Sequence, residues 1–187
     1  MQNQSVHMDL IRLSLRAEGT AWLLSTLDRP LNELRQYSLP DHLLHRPLLP
    51  MEVLASSEAR HCGSLVLEAL FDASELVPAT ITYLCGRLNQ YVESKFPGAG
   101  QRALTNYLFL NFIVPALSSP DWIPSSSSDA EGDLHGKLAL ASRLIQAVAN
   151  GWEPLPGVPS ADEWLLEMRG GLQAFLSTLS KVSSPSL

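Results

Sequence analysis

The fold of this 187-residue chain is decided by the stretch Tyr107-Leu108-Phe109-Leu110-Asn111-Phe112-Ile113-Val114-Pro115-Ala116-Leu117-Ser118-Ser119-Pro120. Together with the residues just before it, this stretch predicts a helix over residues 102–117 that is apolar on nearly every face. Such a helix has no side that can meet water without exposing large apolar side chains, so we expect it to be central and buried. Pro115 is expected to distort its end.

Apolar residues recur at helical spacing on both sides of this stretch, whereas the sustained alternation typical of strands is missing. The spacing predicts further helices over residues 9–35, 56–71, 77–96 and 134–150, and a last one from residue 160. We therefore expect an all-α protein. Its length predicts one globular domain over residues 9–180, with flexible ends at residues 1–8 and 181–187.

Several local features of these helices are also predicted. We expect Pro30 to kink or restart the first helix. Ser160, with Glu163 three residues later, predicts a capping box at the start of the last helix. The serine-rich segment 124–133 predicts an exposed loop, and the leucine-rich connector 37–51 is expected to lie against the helices. The predicted apolar stripe of the first helix consists of Leu10, Leu13, Ala17, Ala21, Leu24 and Leu27.

Charge and composition exclude several classes of function. The chain has 13 Lys and Arg residues against 19 Asp and Glu residues, a net charge of −6, and no basic run. A nucleic-acid or anionic-lipid surface is therefore not supported, and we expect a protein partner. The amino terminus lacks the apolar core of a signal peptide, and no apolar run reaches the ~18 residues that span a bilayer. We expect a cytoplasmic protein without membrane insertion.

Sites for metals, cofactors and stand-alone catalysis are not predicted either. The two cysteines, Cys62 and Cys85, lie in apolar helical patterns and are expected to be reduced and buried. The five histidines have no metal-ligand spacing, so we expect no metal and no cofactor. A nucleophile elbow and a glycine-rich phosphate loop are both missing, which disfavours an enzyme that acts alone.

Two blocks of the sequence resemble one known family. The quoted stretch is similar to the signature of Ras GTPase-activating (RasGAP) domains: Phe-Leu-Arg-Phe, two residues, Pro-Ala-Ile, one residue, Ser-Pro. Residues 138–150, Leu-Ala-Leu-Ala-Ser-Arg-Leu-Ile-Gln-Ala-Val-Ala-Asn, resemble the second block of that family, Leu-x-Leu-Ile-Ala-Lys-x-x-Gln-x-Leu-Ala-Asn. Weaker similarities at residues 19–27 and 77–97 extend the resemblance to about residues 19–176. The resemblance implies a helical domain that binds a Ras-superfamily GTPase in its GTP form and regulates its signalling.

The resemblance also implies which residues form the binding groove. The groove would lie between the central helix and the helix 134–150. Its partner-binding positions would be Leu110, Asn111, Arg143, Gln146 and Asn150. For three of them the residues alone allow a local explanation: Arg143 as a surface arginine, Gln146 as a solvated side chain, and Asn150 as a helix cap before a glycine.

Catalysis in this family requires an arginine finger, which neutralises charge on the transferring phosphoryl group. Arg12, in a segment similar to the Arg-x-Asn-Ser-Leu-Ala element, is the finger candidate. It stands about ten residues too close to Gly19, and Arg12 and Arg16 could equally solvate one helix face. The family's bracing arginine is replaced by Asn111, whose short, uncharged amide should hold a finger loop less firmly. We expect Asn111 to lie inside the domain and not to touch nucleotide.

Three functions therefore remain open for this sequence. The first is an activator that binds the GTP-loaded GTPase and stimulates its hydrolysis. The second is a catalytically inactive relative that only binds the GTPase. The third is a helical scaffold for protein interactions that has lost the GTPase altogether.

Overall fold

The computed structural model describes residues 3–44, 48–119, 130–153 and 157–181, and within these ranges the regular structure is entirely helical. This confirms the all-α prediction. A 3-10 turn at Ser74–Leu76 follows α4, and a π-helical segment at Thr105–Ile113 separates α6 from α7. The α-helices are α1 (Asn3–Gln36), α2 (Asp41–Leu44), α3 (Pro50–Ala55), α4 (Ser57–Asp72), α5 (Ala79–Lys95), α6 (Gly100–Leu104), α7 (Val114–Ser118), α8 (Ala130–Ala149) and α9 (Pro159–Leu179).

A central helix, residues 100–118, is formed by α6, the π-helical segment and α7, which follow one another without a break. Its inward side chains Leu104, Leu108, Phe109, Ile113 and Leu117 are fully buried. They pack against α1, α8 and α9, either directly or through the shared core. The predicted central position is confirmed, but one side of the helix, with Asn106, Asn111 and Ser118, is exposed. The π register ends at Val114, whose N–H donates to the carbonyl of Phe109, one residue before Pro115.

The first helix differs from its prediction in its length and in its buried face. It begins at Asn3, inside the segment predicted to be flexible, and it is not restarted at Pro30. A missing N–H removes only one helical hydrogen bond, and buried leucines before and after Pro30 hold the chain helical. The predicted stripe is right at Leu27, which is buried, and wrong at Ala17 and Ala21, which are exposed. Leu24 is half-buried, and the side chains of Leu10 and Leu13 lie outside the described residues. The buried face consists of Leu15, Gly19, Trp22, Leu23, Leu27, Leu31 and Leu34.

A close approach between α1 and the central helix occurs at Gly19. This glycine is buried, and a Cβ built on it would lie 2.6 Å from Cζ of Phe112. Such a separation is far below van der Waals contact, so only glycine lets the phenyl ring lie against the helix backbone. The packing of α1 on the central helix therefore depends on a residue without a side chain.

The two carboxy-terminal helices confirm their predicted stripes but not their predicted starts. Leu134, Leu138, Ala141, Ile145 and Val148 of α8 are all buried, as are Leu165, Met168, Leu172, Phe175 and Leu179 of α9. Helix α8 begins at Ala130, so residues 130–133 of the predicted loop are helical, while residues 124–129 lie outside the described residues. Helix α9 begins at Pro159 without a side-chain cap, which makes the predicted capping box at Ser160 wrong.

A buried lysine joins α8 to the end of α1. Lys137 is only 3% exposed, and its Nζ donates to the carbonyl oxygen of Leu34 at 2.9 Å. That carbonyl belongs to the last turn of α1, where the helix dipole favours a positive charge. The contact satisfies a helix-end carbonyl and holds the two helices in register.

The remaining predictions about the core are confirmed. Leu43 and Leu48 of the connector are buried, so the connector lies against the helices, although parts of it form α2 and α3. Both cysteines are buried and free, and burial raises the pKa of the Cys62 thiol to about 11 and that of Cys85 to about 12. Among the helices described, none combines the length and apolarity needed to cross a membrane.

Candidate functional site

Three of the predicted binding residues lie on one exposed stripe of α8. Arg143, Gln146 and the residue that follows the helix, Asn150, are spaced by three and four positions, which places them above one another on a helix. All three side chains are exposed, whereas Leu144 and Ile145 between them are buried. The structure therefore brings together the α8 stripe, defined as these three residues.

The end of α8 is capped by its backbone. Gly151 has φ +67°, a left-handed conformation that favours glycine. Its N–H donates to the carbonyl of Val148 at 3.1 Å, and the N–H of Trp152 donates to that of Ala147 at 3.1 Å. This is the Schellman arrangement, with Asn150 at the helix cap. The cap interpretation of Asn150 is confirmed, and its side chain still faces outward on the stripe.

The predicted residues on the central helix are only partly accessible. Leu110 is half-buried, whereas Asn111 is exposed, which makes its predicted position inside the domain wrong. The Asn111 amide Nδ2 donates to the carbonyl oxygen of Asn106 at 2.6 Å, within its own helix. The apolar composition of the helix predicted burial on all sides, but the solvent face runs through its few polar residues. This amide therefore satisfies a carbonyl of the π-helical segment to which it belongs.

Helix α8 and the central helix meet at a pair of serines, one of which precedes Arg143 of the α8 stripe. Ser118 Oγ lies 2.9 Å from Ser142 Oγ, and Ser142 Oγ donates to the carbonyl of Ala139 at 2.9 Å. Ser118 is exposed at the end of α7, and Ser142 precedes Arg143 of the stripe. The exposed end of the central helix therefore adjoins the exposed stripe of α8, in the place where the predicted groove would lie.

A cleft borders the same stripe on the side of α3. It has a volume of about 310 Å³, and Arg143 and Gln146 both line it. Its other walls are apolar and come from α3, α8 and the residues next to them: Leu48, Pro50, Val53, Leu54, Leu144, Ala147 and Trp152. The accessible surface around Arg143 is thus a cationic rim above an apolar floor.

A buried arginine that the sequence pattern did not single out supports this cleft. Arg60 of α4 is 9% exposed, and its Nη1 donates to the carbonyls of Leu54 at 2.7 Å and Ala55 at 2.9 Å. Its Nη2 donates to Ser160 Oγ at 3.1 Å. Burial lowers the pKa of Arg60. The available signal was the spacing of Arg60, which shares a face of α4 with the buried Gly63 and Leu67.

The structure places the finger candidate Arg12 on α1, outside both helices of the predicted groove. Arg12 lies in the body of α1 and not on a loop, and its side chain lies outside the described residues. Groups of three or more metal-ligating side chains are absent from the described part of the chain. The arrangement offers polar, cationic and apolar contacts to a macromolecular partner.

Comparison with known proteins gives several relatives. The chain is 32% identical over 115 residues to Ras GTPase-activating protein 4B of Homo sapiens, a match that covers 57% of this chain and 14% of that protein. It is 30% identical over 90 residues to Ras GTPase-activating protein 1 of Rattus norvegicus, covering 46% and 9%. It is 26% identical over 173 residues to the inhibitory regulator protein IRA2 of Saccharomyces cerevisiae, covering 89% and 6%.

These matches therefore span only a small part of each relative's length. The family model for the GTPase-activator protein for Ras-like GTPase matches residues 53–150, more than half of the chain. The matched segment contains Leu110, Asn111 and the α8 stripe, whereas Arg12 lies outside it. Together with the all-α fold and the two sequence blocks, this match shows that the chain belongs to the RasGAP family.

Proposed function

We propose that this chain regulates Ras-type GTPase signalling by binding a GTPase in its GTP-loaded form. The binding surface consists of the α8 stripe together with Leu110 and Asn111 on the exposed side of the central helix. The observation that carries the proposal is the α8 stripe itself. Its residues fall inside the family match and project from one face of α8, the helix that contacts the central helix through Ser142 and Ser118.

The chemistry of the surface supports a GTPase as partner. Arg143 and Gln146 are exposed, and neither side chain forms a hydrogen bond or ion pair with another described residue. They are therefore free to contact polar groups of a partner. The apolar cleft beneath them can accept a partner's apolar side chain, and such an anchor beside a charged rim is typical of protein interfaces.

Stimulation of hydrolysis is a separate property, and it requires an arginine that reaches the phosphates of the partner. Asn111 stands where the family signature has its bracing arginine, and its amide is used within its own helix. This observation favours the second function weighed above, GTP-selective binding without acceleration. Arg12 is the residue whose removal decides the matter: if the chain accelerates hydrolysis through it, Arg12→Ala should lower the stimulated rate by about 10³-fold or more.

A charge reversal on the stripe tests the proposed surface. Binding of the chain to Ras, Rap, Rho and Rab proteins that carry a non-hydrolysable GTP analogue would be measured by titration calorimetry. Arg143→Glu should weaken binding by about tenfold or more, because a rim cation becomes a repulsive anion. The matched control is Arg87→Glu on α5, an exposed arginine on a helix that packs against α1, α6 and α9. Equal losses in both variants, or no loss in either, would contradict the proposed surface.

A further inference from the structure

A second cleft lies between α1 and α4, and it shares no lining residue with the cleft beside Arg143. Its volume is about 430 Å³. Its apolar lining consists of Pro30, Leu65, Ala69, Ala73 and Leu76. Leu76, in the 3-10 turn after α4, is 74% exposed, which makes it the most exposed of the large apolar side chains in the described residues. An apolar floor with an uncovered leucine at its rim is typical of a docking surface.

The rim of this α1–α4 cleft is acidic. Glu33, Glu68 and Asp72 line it, against the single cation Arg29. Arg29 Nε already pairs with Glu33 Oε1 at 2.7 Å. Glu68 and Asp72 have no ion-pair partner among the described residues. The cleft therefore presents two uncompensated carboxylates beside its apolar floor.

The two carboxylates stand where the helix disfavours them. Glu68 and Asp72 are four residues apart on α4, so two like charges face each other on adjacent turns. Asp72 is also the last residue of α4, where the helix dipole disfavours a negative charge. Residues that break local rules in this way often serve binding at the expense of stability. Both placements are unfavourable for the isolated chain, and both would be relieved by a cationic partner.

We propose that the α1–α4 cleft docks a basic amphipathic helix of a partner protein. Leucine-sized side chains of that helix would enter the floor beside Leu76, and its Lys or Arg residues would pair with Glu68 and Asp72. A groove between two packed helices fits a third helix by the ridge-and-groove geometry that governs helix packing. This surface is independent of the proposed GTPase surface, since no residue belongs to both.

The test uses the full chain and a synthetic probe. A fluorescein-labelled 18-residue peptide with Leu and Lys at amphipathic helical spacing would be titrated by fluorescence anisotropy. Its scrambled isomer removes the apolar stripe, and a Leu/Glu version reverses the charge. The first peptide should bind at least about tenfold more tightly than either control, and its affinity should fall as salt is raised. Equal binding of the scrambled isomer would overturn the proposal, because it would show non-specific attraction alone.

Matched variants then locate the binding. Glu68→Lys/Asp72→Lys should weaken peptide binding by about tenfold or more, and Leu76→Ser should weaken it without changing the salt dependence. The control Glu163→Lys/Glu167→Lys makes the same change at two exposed α9 positions four residues apart. Leu166→Ser is the control for Leu76, since Leu166 is 64% exposed on α9. If the α9 variants lose as much binding as the α4 variants, the assignment to this cleft is wrong.

A stability measurement supplies a second, opposite readout. Cations in place of acids in the last turns of α4 should raise the melting temperature of Glu68→Lys/Asp72→Lys by about 1–4 °C, as peptide binding falls, because the helix dipole favours a positive charge there. A variant that binds less because it is partly unfolded would instead melt at a lower temperature. Retained binding by a stabilised variant would overturn the proposal.

Discussion

Replacement of Arg60 should destabilise the chain more than any exposed charge does. Arg60→Met keeps an unbranched apolar stem but removes donors to two α3 carbonyls and to Ser160 of α9. A hydrogen bond from a charged donor contributes about 1.5–3 kcal/mol. The acceptors of Arg60 among the described residues are neutral, so the cost of burying its charge offsets part of the contribution of these three hydrogen bonds. We therefore expect the free energy of unfolding to fall by about 2–4 kcal/mol.

Urea unfolding followed by circular dichroism measures this loss as a shift of the midpoint at constant slope. Arg60→Lys should lose an intermediate amount, because one ammonium cannot replace a planar fork. Arg29→Ala is the control: it removes the ion pair with Glu33, but Arg29 is 88% exposed, so the midpoint should not change measurably. A midpoint for Arg60→Met equal to that of Arg29→Ala would refute the view that this arginine joins α3, α4 and α9.

Three further predictions follow from the packing and the site. Gly19→Ala should destabilise the chain by about 1–2 kcal/mol, because its Cβ would overlap the ring of Phe112. Gly170→Ala has open space at its Cβ and should stabilise the chain by about 0.5–1 kcal/mol. Equal shifts of the melting temperature in the two variants would contradict this. Burial raises the pKa of the Cys62 and Cys85 thiols, so as pH rises the unfolded chain loses those protons at a lower pH than the folded chain does. The free energy of unfolding, measured by urea titration, should therefore fall by about 2–3 kcal/mol between pH 8 and pH 10. A Cys62→Ala/Cys85→Ala variant should show a flatter pH profile, and an unchanged profile would show that the thiols are not responsible. Asn111→Arg should leave single-turnover GTP hydrolysis by the partner unchanged, because position 111 is exposed and its amide donates within its own helix, to Asn106; faster hydrolysis would show a working brace.

The parts of the fold that sequence predicts well are those where large apolar residues leave one arrangement. The apolar faces of α8 and α9 contain Leu, Ile, Met and Phe at helical spacing, and each position predicted for these faces is buried. In α1 the sequence allows two apolar faces at helical spacing, one through Ala17 and Ala21 and one through Trp22 and Leu23, and both are equally regular. Trp22 and Leu23 remove much more apolar area from water than alanines do, so the helix turns that face inward.

Polar contacts between distant segments were much harder to predict. The carbonyl that Lys137 meets is 103 positions away in the chain, and Ser160 contacts Arg60 across 100 positions instead of capping its own helix. Spacing within a helix shows which residues share a face, as it does for the α8 stripe. It does not show which carbonyl or hydroxyl of another helix meets a buried cation, nor that the solvent face of the central helix passes through Asn111.

GTP-selective binding of a Ras-type GTPase can be tested by one titration. The affinity of the unmodified chain would be measured for one GTPase loaded in parallel with GDP and with a non-hydrolysable GTP analogue. We expect at least about tenfold tighter binding of the GTP-analogue form, a difference of about 1.4 kcal/mol. Equal affinity for both nucleotide states, or no binding across the Ras, Rap, Rho and Rab proteins, would contradict it and leave the helical scaffold as the remaining function.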